Sequence, residues 1–406
     1  MKTRYNPTDK IFTKRWGGLI LLALLVLSAL CCFVSGVAWL GWILSLLVLL
    51  LFGYRALQKR FKATKWWKIL NSFFMVLAVF GVAIFLRLFV FEVYEIPSES
   101  MENTLVPGDK IVVNKLSIGP RMPRSPFEIP WVNLLFYTSK EARTRIDSTW
   151  WAPRRLKGFS PIRRNDVLVF QNKPVGPDFF IKRCVALPGD VFQIVNSDLF
   201  INGQYAETNY LPDVKKKWRV YCSNSSCFRS LSDSLHLVFF QDNNPEEGKR
   251  SLILSRMEAG GLKSFPGVDS LHPEVQPPDP DAWLTPYGKR AFWSPDQYGP
   301  IRIPYKGWTL KLNEETLSLY FETIRTWEGS RIETIGERFY RNGKEVTDYT
   351  FRNDYYVFMG DYRYNSVDSR MWGFLPEQEI VGKASRILWS NNVMGMKWKR
   401  ILKKIK

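Results

Sequence analysis

Residues 17–54 form a long apolar run that contains no charged residue. A second apolar stretch covers residues 69–91. Because one membrane-spanning helix needs about 20 residues, the first run predicts a hairpin of two spans, 17–34 and 36–54, and the second predicts a third span. A single long helix or a re-entrant hairpin in place of the first pair stays open as the alternative.

Positive charge is concentrated beside the apolar runs and in the tail. Residues 1–16 carry a net +4, residues 53–68 carry +6 and residues 383–406 carry +8, together +18 of the net +19. The rest of the chain is therefore nearly neutral, which argues against a nucleic-acid-binding surface. By the positive-inside rule, the basic N-terminus 1–16 and the basic loop 55–68 are cytoplasmic, and the chain after residue 91 lies outside.

Beyond residue 91 the pattern changes to short runs rich in Val, Ile and Phe that are separated by turns. Asn202-Gly203 and Asn342-Gly343 are typical of two-residue hairpins. The sequence predicts one convincing exported helix, residues 313–326. It predicts strands at residues 110–115, 166–171, 180–187, 191–201, 355–359 and 380–388. The expected fold class is N-terminal transmembrane α-helices followed by a mainly-β exported catalytic domain with an inserted β-rich subdomain.

The exported part divides into four segments. Residues 92–204 form the first part of the catalytic core, with membrane-apposed loops expected in its Pro- and Trp-rich stretch or, alternatively, ordinary packing loops. The polar residues 205–300 form the inserted subdomain, and residues 301–384 form the second part of the core. The basic tail, residues 385–406, is predicted either as an amphipathic helix at the lipid interface or as a solvated end.

The positions of the cysteines and histidines in the sequence indicate their roles. Cys222 and Cys227 lie in the predicted exported part, where a disulfide is compatible with the compartment, and their pairing is left open. Cys184 is interpreted as a buried free thiol. The two histidines, His236 and His272, fall in the insertion away from every motif, and we interpret them as surface residues.

Two short segments point to acyl-transfer chemistry without histidine. Directly after the third apolar span, residues 96–101 read Ile-Pro-Ser-Glu-Ser-Met, which places a hydroxyl in a turn. Far downstream, Lys182 stands in the otherwise apolar run 179–187. A lysine acts as a base only when its pKa falls, and apolar surroundings have that effect. Ser100 and Lys182 are therefore the candidate nucleophile and base of a membrane-anchored serine protease.

Four sequence blocks carry a closer resemblance. They cover residues 98–109, 164–170, 181–190 and 359–373, the last beginning Met-Gly-Asp-Tyr-Arg-Tyr-Asn-Ser. In this order after a membrane span, they closely resemble bacterial type I signal peptidase, a serine/lysine-dyad protease. The resemblance extends over about residues 87–384, apart from the insertions.

The resemblance implies roles for individual residues. Ser100 would be the nucleophile, Lys182 the general base, and the Ser98 hydroxyl an oxyanion donor beside the Ser100 backbone N–H. Ser366 would hydrogen-bond to and orient the lysine, and Met101 would pack beside the site. An ionic scaffold that fixes the dyad would comprise Arg183, Asp361, Arg363, Asp368 and Arg370.

The chain departs from the family pattern at three positions, although none of them removes a catalytic group. Tyr362 stands where the family usually has asparagine, Asn165 where glycine is common, and Glu99 where a small residue is frequent. The departures concern the shape of the substrate pocket rather than the chemistry.

The resemblance further implies cleavage after small residues in an Ala-x-Ala-like pattern, with no cofactor and no metal. The expected partners are signal-peptide-bearing preproteins and membrane lipid, close to the secretion translocon, and no nucleic acid. The expected location is the bacterial plasma (inner) membrane, multi-pass, with the catalytic domain on the extracytoplasmic side. Alternatives are a processing peptidase with a narrow client set, a self-cleaving repressor-type protease, and a non-catalytic membrane-anchored scaffold.

Overall fold

The computed structural model describes residues 22–61, 65–131, 151–172, 174–176, 178–207, 214–223, 225–235, 248–277, 293–392 and 395–405. These residues divide into two compact units. The first runs to Glu92 and includes Asn114–Pro161, and the second comprises Val93–Val113 and Ile162–Lys406. The helices are α1 (Leu22–Val34), α2 (Ala38–Phe61), α3 (Lys65–Phe85), α4 (Ser225–Leu235), α5 (Arg256–Leu262), α6 (Glu314–Thr326) and α7 (Ser369–Trp372).

Short strands dominate the described part of the second unit. In chain order they are β1 (Phe91–Glu95), β2 (Asp109–Asn114), β3 (Val167–Gln171), β4 (Phe179–Ala186), β5 (Val191–Val195), β6 (Asp198–Ile201), β7 (Gln204–Tyr205), β8 (Lys216–Cys222), β9 (Lys249–Leu254), β10 (Val268–Pro273), β11 (Tyr298–Arg302), β12 (Thr309–Lys311), β13 (Ile332–Ile335), β14 (Arg338–Arg341), β15 (Lys344–Val346), β16 (Asp348–Thr350), β17 (Tyr355–Met359), β18 (Leu375–Pro376), β19 (Ile380–Asn392) and β20 (Gly395–Met396).

The first unit contains the apolar helices. Gly36 separates α1 from α2 with φ at +75°, where a Cβ would lie 2.6 Å from Lys157 Nζ, so glycine suits this break. Among the described residues, one helical stretch, Ile69–Val90, is long and apolar enough to cross a bilayer, with a mean hydropathy of 2.6. The apolar stretches Leu22–Val34 and Ala38–Tyr54 are shorter. The predicted pair of spans over residues 17–54 therefore remains a prediction, and residues 17–21 lie outside the described part.

The main sheet of the second unit is antiparallel wherever its register is defined, and it runs in the order β1-β2-β19-β3-β4-β17-β18, with β20 paired to β19. Strands distant in the chain become neighbours, since β4 pairs with β17 and β3 with β19. Fully buried apolar side chains such as Ile111, Leu168 and Phe358 explain why these segments form strands of a sheet. The mainly-β prediction is confirmed.

The predicted strand 191–201 is wrong in one respect, because the structure splits it into β5 and β6. Asn196 and Ser197 both adopt positive φ, 50° and 66°, and form a two-residue turn between the two strands. Asparagine tolerates this conformation better than most residues. The predicted turns at Asn202 and Asn342 are confirmed, with φ of 53° at each.

The insertion contains helices that the sequence reading missed. Strands β8, β9 and β10 form a three-stranded sheet, and both α4 and α5 pack against it. The expectation of a single exported helix is wrong because α5 has its own capping box between Ser255 and Glu258. Cys222 and Cys227 form a disulfide, and Cys184 is a buried free thiol. His272 lies on β10, and His236 lies outside the described residues.

In its described residues, 385–392 and 395–405, the C-terminal tail is neither an amphipathic helix nor a solvated end. Strand β19 continues to Asn392, well beyond the predicted end of the core at residue 384. The chain then returns, so that Leu402 N–H donates to the Ile387 carbonyl and Ile405 is buried in the core with Ile96. Burial of these apolar side chains and an ion pair between Arg400 and Asp109 hold the tail against the sheet.

Candidate active site

Ser100 lies in a turn that is closed by its own backbone. Ile96 N–H donates to the Asp109 carbonyl at 2.9 Å, and Gly108 N–H donates to the Ile96 carbonyl at 3.0 Å. Met101 is fully buried and anchors the turn in the same core as Ile96. Its packing beside the site stays a prediction. The turn therefore holds Ser100, which is 7% exposed, in a defined place.

Lys182 reaches Ser100 from the main sheet. It stands on β4, opposite Leu168 of β3, and is 5% exposed. Its Nζ lies 2.6 Å from Ser100 Oγ, although the two residues are 82 positions apart. The structure thus brings together the predicted nucleophile and base within hydrogen-bond distance.

Burial lowers the pKa of Lys182, because removal from water disfavours its charged form. The carboxylates of Asp368 and Asp361 act in the opposite direction, and the Arg370 guanidinium adds to the lowering. The net effect is a pKa below the ordinary lysine value. A neutral amine beside Ser100 Oγ can accept the proton of the hydroxyl.

A second hydroxyl adjoins the nucleophile. Ser98 Oγ lies 3.2 Å from Ser100 Oγ, so the two predicted serines are neighbours in space as well as in sequence. The hydroxyl is close enough to donate to an oxygen that develops charge beside Ser100.

Arg183 and Asp361 form one buried ion pair behind the dyad. On a strand successive side chains alternate, so Arg183 faces away from Lys182. Its Nε and Nη2 donate to Asp361 Oδ1 and Oδ2 at 2.8 and 2.7 Å. Thr104, which sequence reasoning missed, also donates to Asp361 at 2.5 Å and thereby ties the Ser100 turn to the Asp361 loop.

Asp368 and Arg370 form a second buried pair. Arg370 Nε lies 2.9 Å from Asp368 Oδ1, and Gly360 N–H donates to the other carboxylate oxygen at 3.1 Å. Burial alone would raise the pKa of Asp368, but the Arg370 guanidinium and these hydrogen bonds outweigh it and hold the pKa below its usual value. Arg370 also donates to the Arg363 carbonyl at 2.6 Å.

Gly360, next to Asp361, lies close to the backbone of the nucleophile. A Cβ on this residue would lie 2.5 Å from the Ser100 carbonyl oxygen and closer still to Ser366, so a side chain would not fit. The Tyr362 N–H donates to the same Ser100 carbonyl at 3.1 Å. Ser366 is half-buried beside Gly360, and its hydroxyl makes no hydrogen bond to Lys182, so the predicted orienting contact is not formed in this structure.

Arg363 has a partner that the sequence did not reveal. Its Nη1 donates to Glu207 at 2.9 Å across 156 positions of sequence. No spacing or motif signals a pair so far apart in the chain. Within the described part of the chain, no three His, Cys, Asp or Glu side chains are grouped so as to hold a metal ion.

One family model and several known proteins match much of this chain. The family model described as "Signal peptidase, peptidase S26" matches residues 66–246 and 300–389, more than half of the chain. The signal peptidase I of Buchnera aphidicola subsp. Acyrthosiphon pisum is 27% identical, with 86% of this chain and 82% of the relative covered. The signal peptidase I of Aquifex aeolicus is 24% identical, and the match covers 80% of this chain and 85% of the relative.

A crystal structure of a signal peptidase I from Enterococcus faecalis is 16% identical and covers 55% of this chain and 97% of its own, with a TM-score of 0.20. At that score the likeness supports no conclusion about the fold.

Proposed function

The chain belongs to the signal peptidase family, peptidase S26, and from that premise we propose that Ser100 and Lys182 form its catalytic dyad. Its relatives are named signal peptidase I, so the chain is a serine endopeptidase that removes signal peptides. The observation that carries the proposed dyad is the 2.6 Å distance between Lys182 Nζ and Ser100 Oγ in a site almost closed to water.

Catalysis starts from the neutral amine of Lys182. The amine takes the proton of Ser100 as Oγ attacks the scissile carbonyl, and the carbonyl electrons move to the oxygen. The C–N bond then breaks, the leaving amine takes the proton from the Lys182 ammonium, and an ester remains on Ser100. Lys182 next removes a proton from water, which hydrolyses the ester and restores both residues.

Ser98 supplies an oxyanion donor together with the Ser100 backbone N–H. Preorganised donors of this kind are each worth roughly 3 kcal/mol in the transition state. The 3.2 Å approach of Ser98 Oγ to Ser100 Oγ supports this role.

Replacement of Ser98 by alanine should lower kcat about 10²- to 10³-fold, because one donor to the oxyanion is lost. KM should change little, since the charge develops only in the transition state. Steady-state kinetics on a precursor measures both constants, and Ser98→Thr, which keeps a hydroxyl, is the matched variant. A kcat within two-fold of wild type for Ser98→Ala would remove Ser98 from the mechanism.

The substrate binds as an added strand. Strand β4 pairs with β3 along residues 179–183, whereas its register with β17 ends at Arg183. On the edge of β4 that faces β17, residues 179–182 have no strand partner among the described residues. An extended chain can pair with such an edge and so place its scissile bond beside Lys182 and Ser100. The sites cut lie after small residues in an Ala-x-Ala-like pattern.

The enzyme is anchored in the bacterial inner membrane by several spans, with its catalytic part on the extracytoplasmic side near the translocon. Three observations support this placement. The stretch Ile69–Val90 is long and apolar enough to cross a bilayer, and basic residues precede it in the sequence. The Cys222–Cys227 disulfide suits an oxidising compartment.

Cleavage of a purified precursor tests this function. Full-length protein in detergent should cut a precursor that carries an Ala-x-Ala signal peptide, and mass spectrometry should find the new N-terminus directly after that site. A precursor with phenylalanine in place of the last alanine should stay intact, as should the original precursor with Ser100→Ala. Ser318→Ala on α6 serves as the matched control and should cut normally. Failure of wild type on a range of precursors would favour a narrow client set or a scaffold.

A further inference from the structure

Glu207 is a buried carboxylate held between two cations of different origin. It is 5% exposed, and its Oε1 accepts from Arg363 Nη1 at 2.9 Å. Its Oε2 lies 2.8 Å from Lys216 Nζ, at the start of the inserted strand β8. One side chain therefore links the insertion to the loop that carries the ionic scaffold.

Arg363 contacts both Glu207 and the loop beside the nucleophile. Its Nε donates to the Gly360 carbonyl at 3.1 Å, so the guanidinium that Glu207 holds is also fixed against Gly360. The Gly360 backbone in turn lies directly against the Ser100 carbonyl and Ser366. A continuous series of contacts thus runs from Glu207 through Arg363 and Gly360 to Ser100.

The two lysines that flank Lys216 in the sequence contact the same loop. Lys215 forms an isolated parallel bridge with Tyr362, and its Nζ lies 5.8 Å from the centre of that ring. Lys217 Nζ lies 5.2 Å from the centre of the Tyr364 ring. Because side chains alternate along the chain, Lys216 between them points to the other face, where it meets Glu207. Lys215 and Lys217 thus contact the loop, while Lys216 between them pairs with Glu207.

Loss of the Glu207 charge has a defined consequence. Two buried cations would lose their shared partner, and an uncompensated buried charge is costly. Lys216 keeps a second carboxylate, Asp198, which does not contact Arg363. Arg363 has no other carboxylate partner among the ion pairs of the described residues. The guanidinium, and not the lysine, is therefore the group most free to move.

We infer that Glu207 is a positioning residue for the reaction, which couples the inserted subdomain to the Ser100–Lys182 dyad through Arg363. The inference rests on the proposed dyad mechanism. Glu207 touches neither Ser100 nor Lys182 in the structure, so it acts only through the placement of the Gly360 loop. Misplacement of a catalytic group lowers turnover more than it weakens substrate binding.

The test compares Glu207→Gln with Asp198→Asn in the full-length detergent-solubilised enzyme. Both variants remove one carboxylate from Lys216, but only the first removes the partner of Arg363. We expect kcat to fall about ten-fold in Glu207→Gln with KM within two-fold of wild type. Asp198→Asn should keep kcat within two-fold. Thermal unfolding of each protein measures how much is folded, so that kcat is expressed per folded molecule.

Equal loss of kcat in the two variants would overturn the inference, because a merely structural role of the insertion would affect both. Wild-type kcat in Glu207→Gln would overturn it as well. If Glu207→Gln does not fold, Glu207→Asp takes its place: a fall in kcat of more than three-fold at unchanged KM supports the inference, and wild-type kcat overturns it. Ser100→Ala is measured in parallel, since residual activity there would contradict the dyad itself and not the role of Glu207.

Discussion

Replacement of Lys182 by alanine should lower kcat/KM for precursor cleavage by about 10⁴-fold, the upper range for loss of a general base. The reason is that Lys182 Nζ is the one amine within hydrogen-bond distance of Ser100 Oγ among the described residues. Lys182→Arg should be equally inactive although its charge and length are similar, because a guanidinium does not give up its proton. A discontinuous assay with purified precursor measures the loss.

The control for this experiment is Lys110→Ala. Lys110 lies on β2, and its side chain is about half exposed beside Glu95. This variant should keep wild-type kcat/KM, which shows that loss of a lysine from the sheet is harmless in itself. Near-normal cleavage by Lys182→Ala would place the base elsewhere and refute the mechanism.

Asp368→Asn should lower the free energy of unfolding by about 3–5 kcal/mol, the usual cost of removing one partner of a buried ion pair. The Asp368 side chain is fully buried, and its loss of charge leaves the buried Arg370 guanidinium without its ion-pair partner. The carboxylate also accepts the Gly360 N–H, so the loop next to Ser100 loses an anchor. Urea denaturation of the full-length protein in detergent measures the change.

An exposed pair of the same chemistry is the matched control. Glu322→Gln removes the partner of Arg325 on α6, where the arginine side chain is 58% exposed. Such pairs contribute at most about 1 kcal/mol, so this variant should unfold near wild type. A change of less than about 1 kcal/mol for Asp368→Asn would contradict a stabilising role for the buried pair.

The pH dependence of this stabilisation has a definite sign. The folded-state pKa of Asp368 lies below its unfolded value because Arg370 and the hydrogen bonds favour the carboxylate. Its contribution is therefore complete above the unfolded pKa of about 3.9 and is lost as the pH falls through the folded value. Asp368→Asn should accordingly reduce the difference in stability between neutral and strongly acid solution.

Much of the site could be predicted because its residues lie in short local patterns. Each motif of the site is recognisable within about a dozen consecutive residues. These motifs are the turn at Ser100, the apolar run around Lys182 and the block from Gly360 to Arg370. Strands with alternating or continuous apolar residues and the two Asn-Gly turns are local signals of the same kind. The pairing of the blocks came from their resemblance to a family, since no local rule joins residues 100 and 182.

What could not be predicted depends on contacts between distant segments. The tail around Ile405 has an amphipathic sequence. Whether its apolar side chains contact lipid, water or the sheet depends on how the side chains of the folded core pack. In the sequence, Glu207 cannot be distinguished from other polar loop residues, because its partner Arg363 is brought beside it only by the fold. The Asn196–Ser197 turn lacked the glycine that marks the other hairpins, so the two strands around it read as one.

The pH dependence of kcat/KM reports whether a neutral lysine activates Ser100. Only the neutral amine accepts the proton, so the rate should rise with pH through the pKa of Lys182. Burial places that pKa below the ordinary value, and the charged groups that act on the amine are the carboxylates of Asp368 and Asp361 and the Arg370 guanidinium. We expect a single ascending limb whose midpoint lies below about 10.4, the pKa of an exposed lysine. A midpoint at the exposed value, or a rate that does not rise with pH at all, would contradict it.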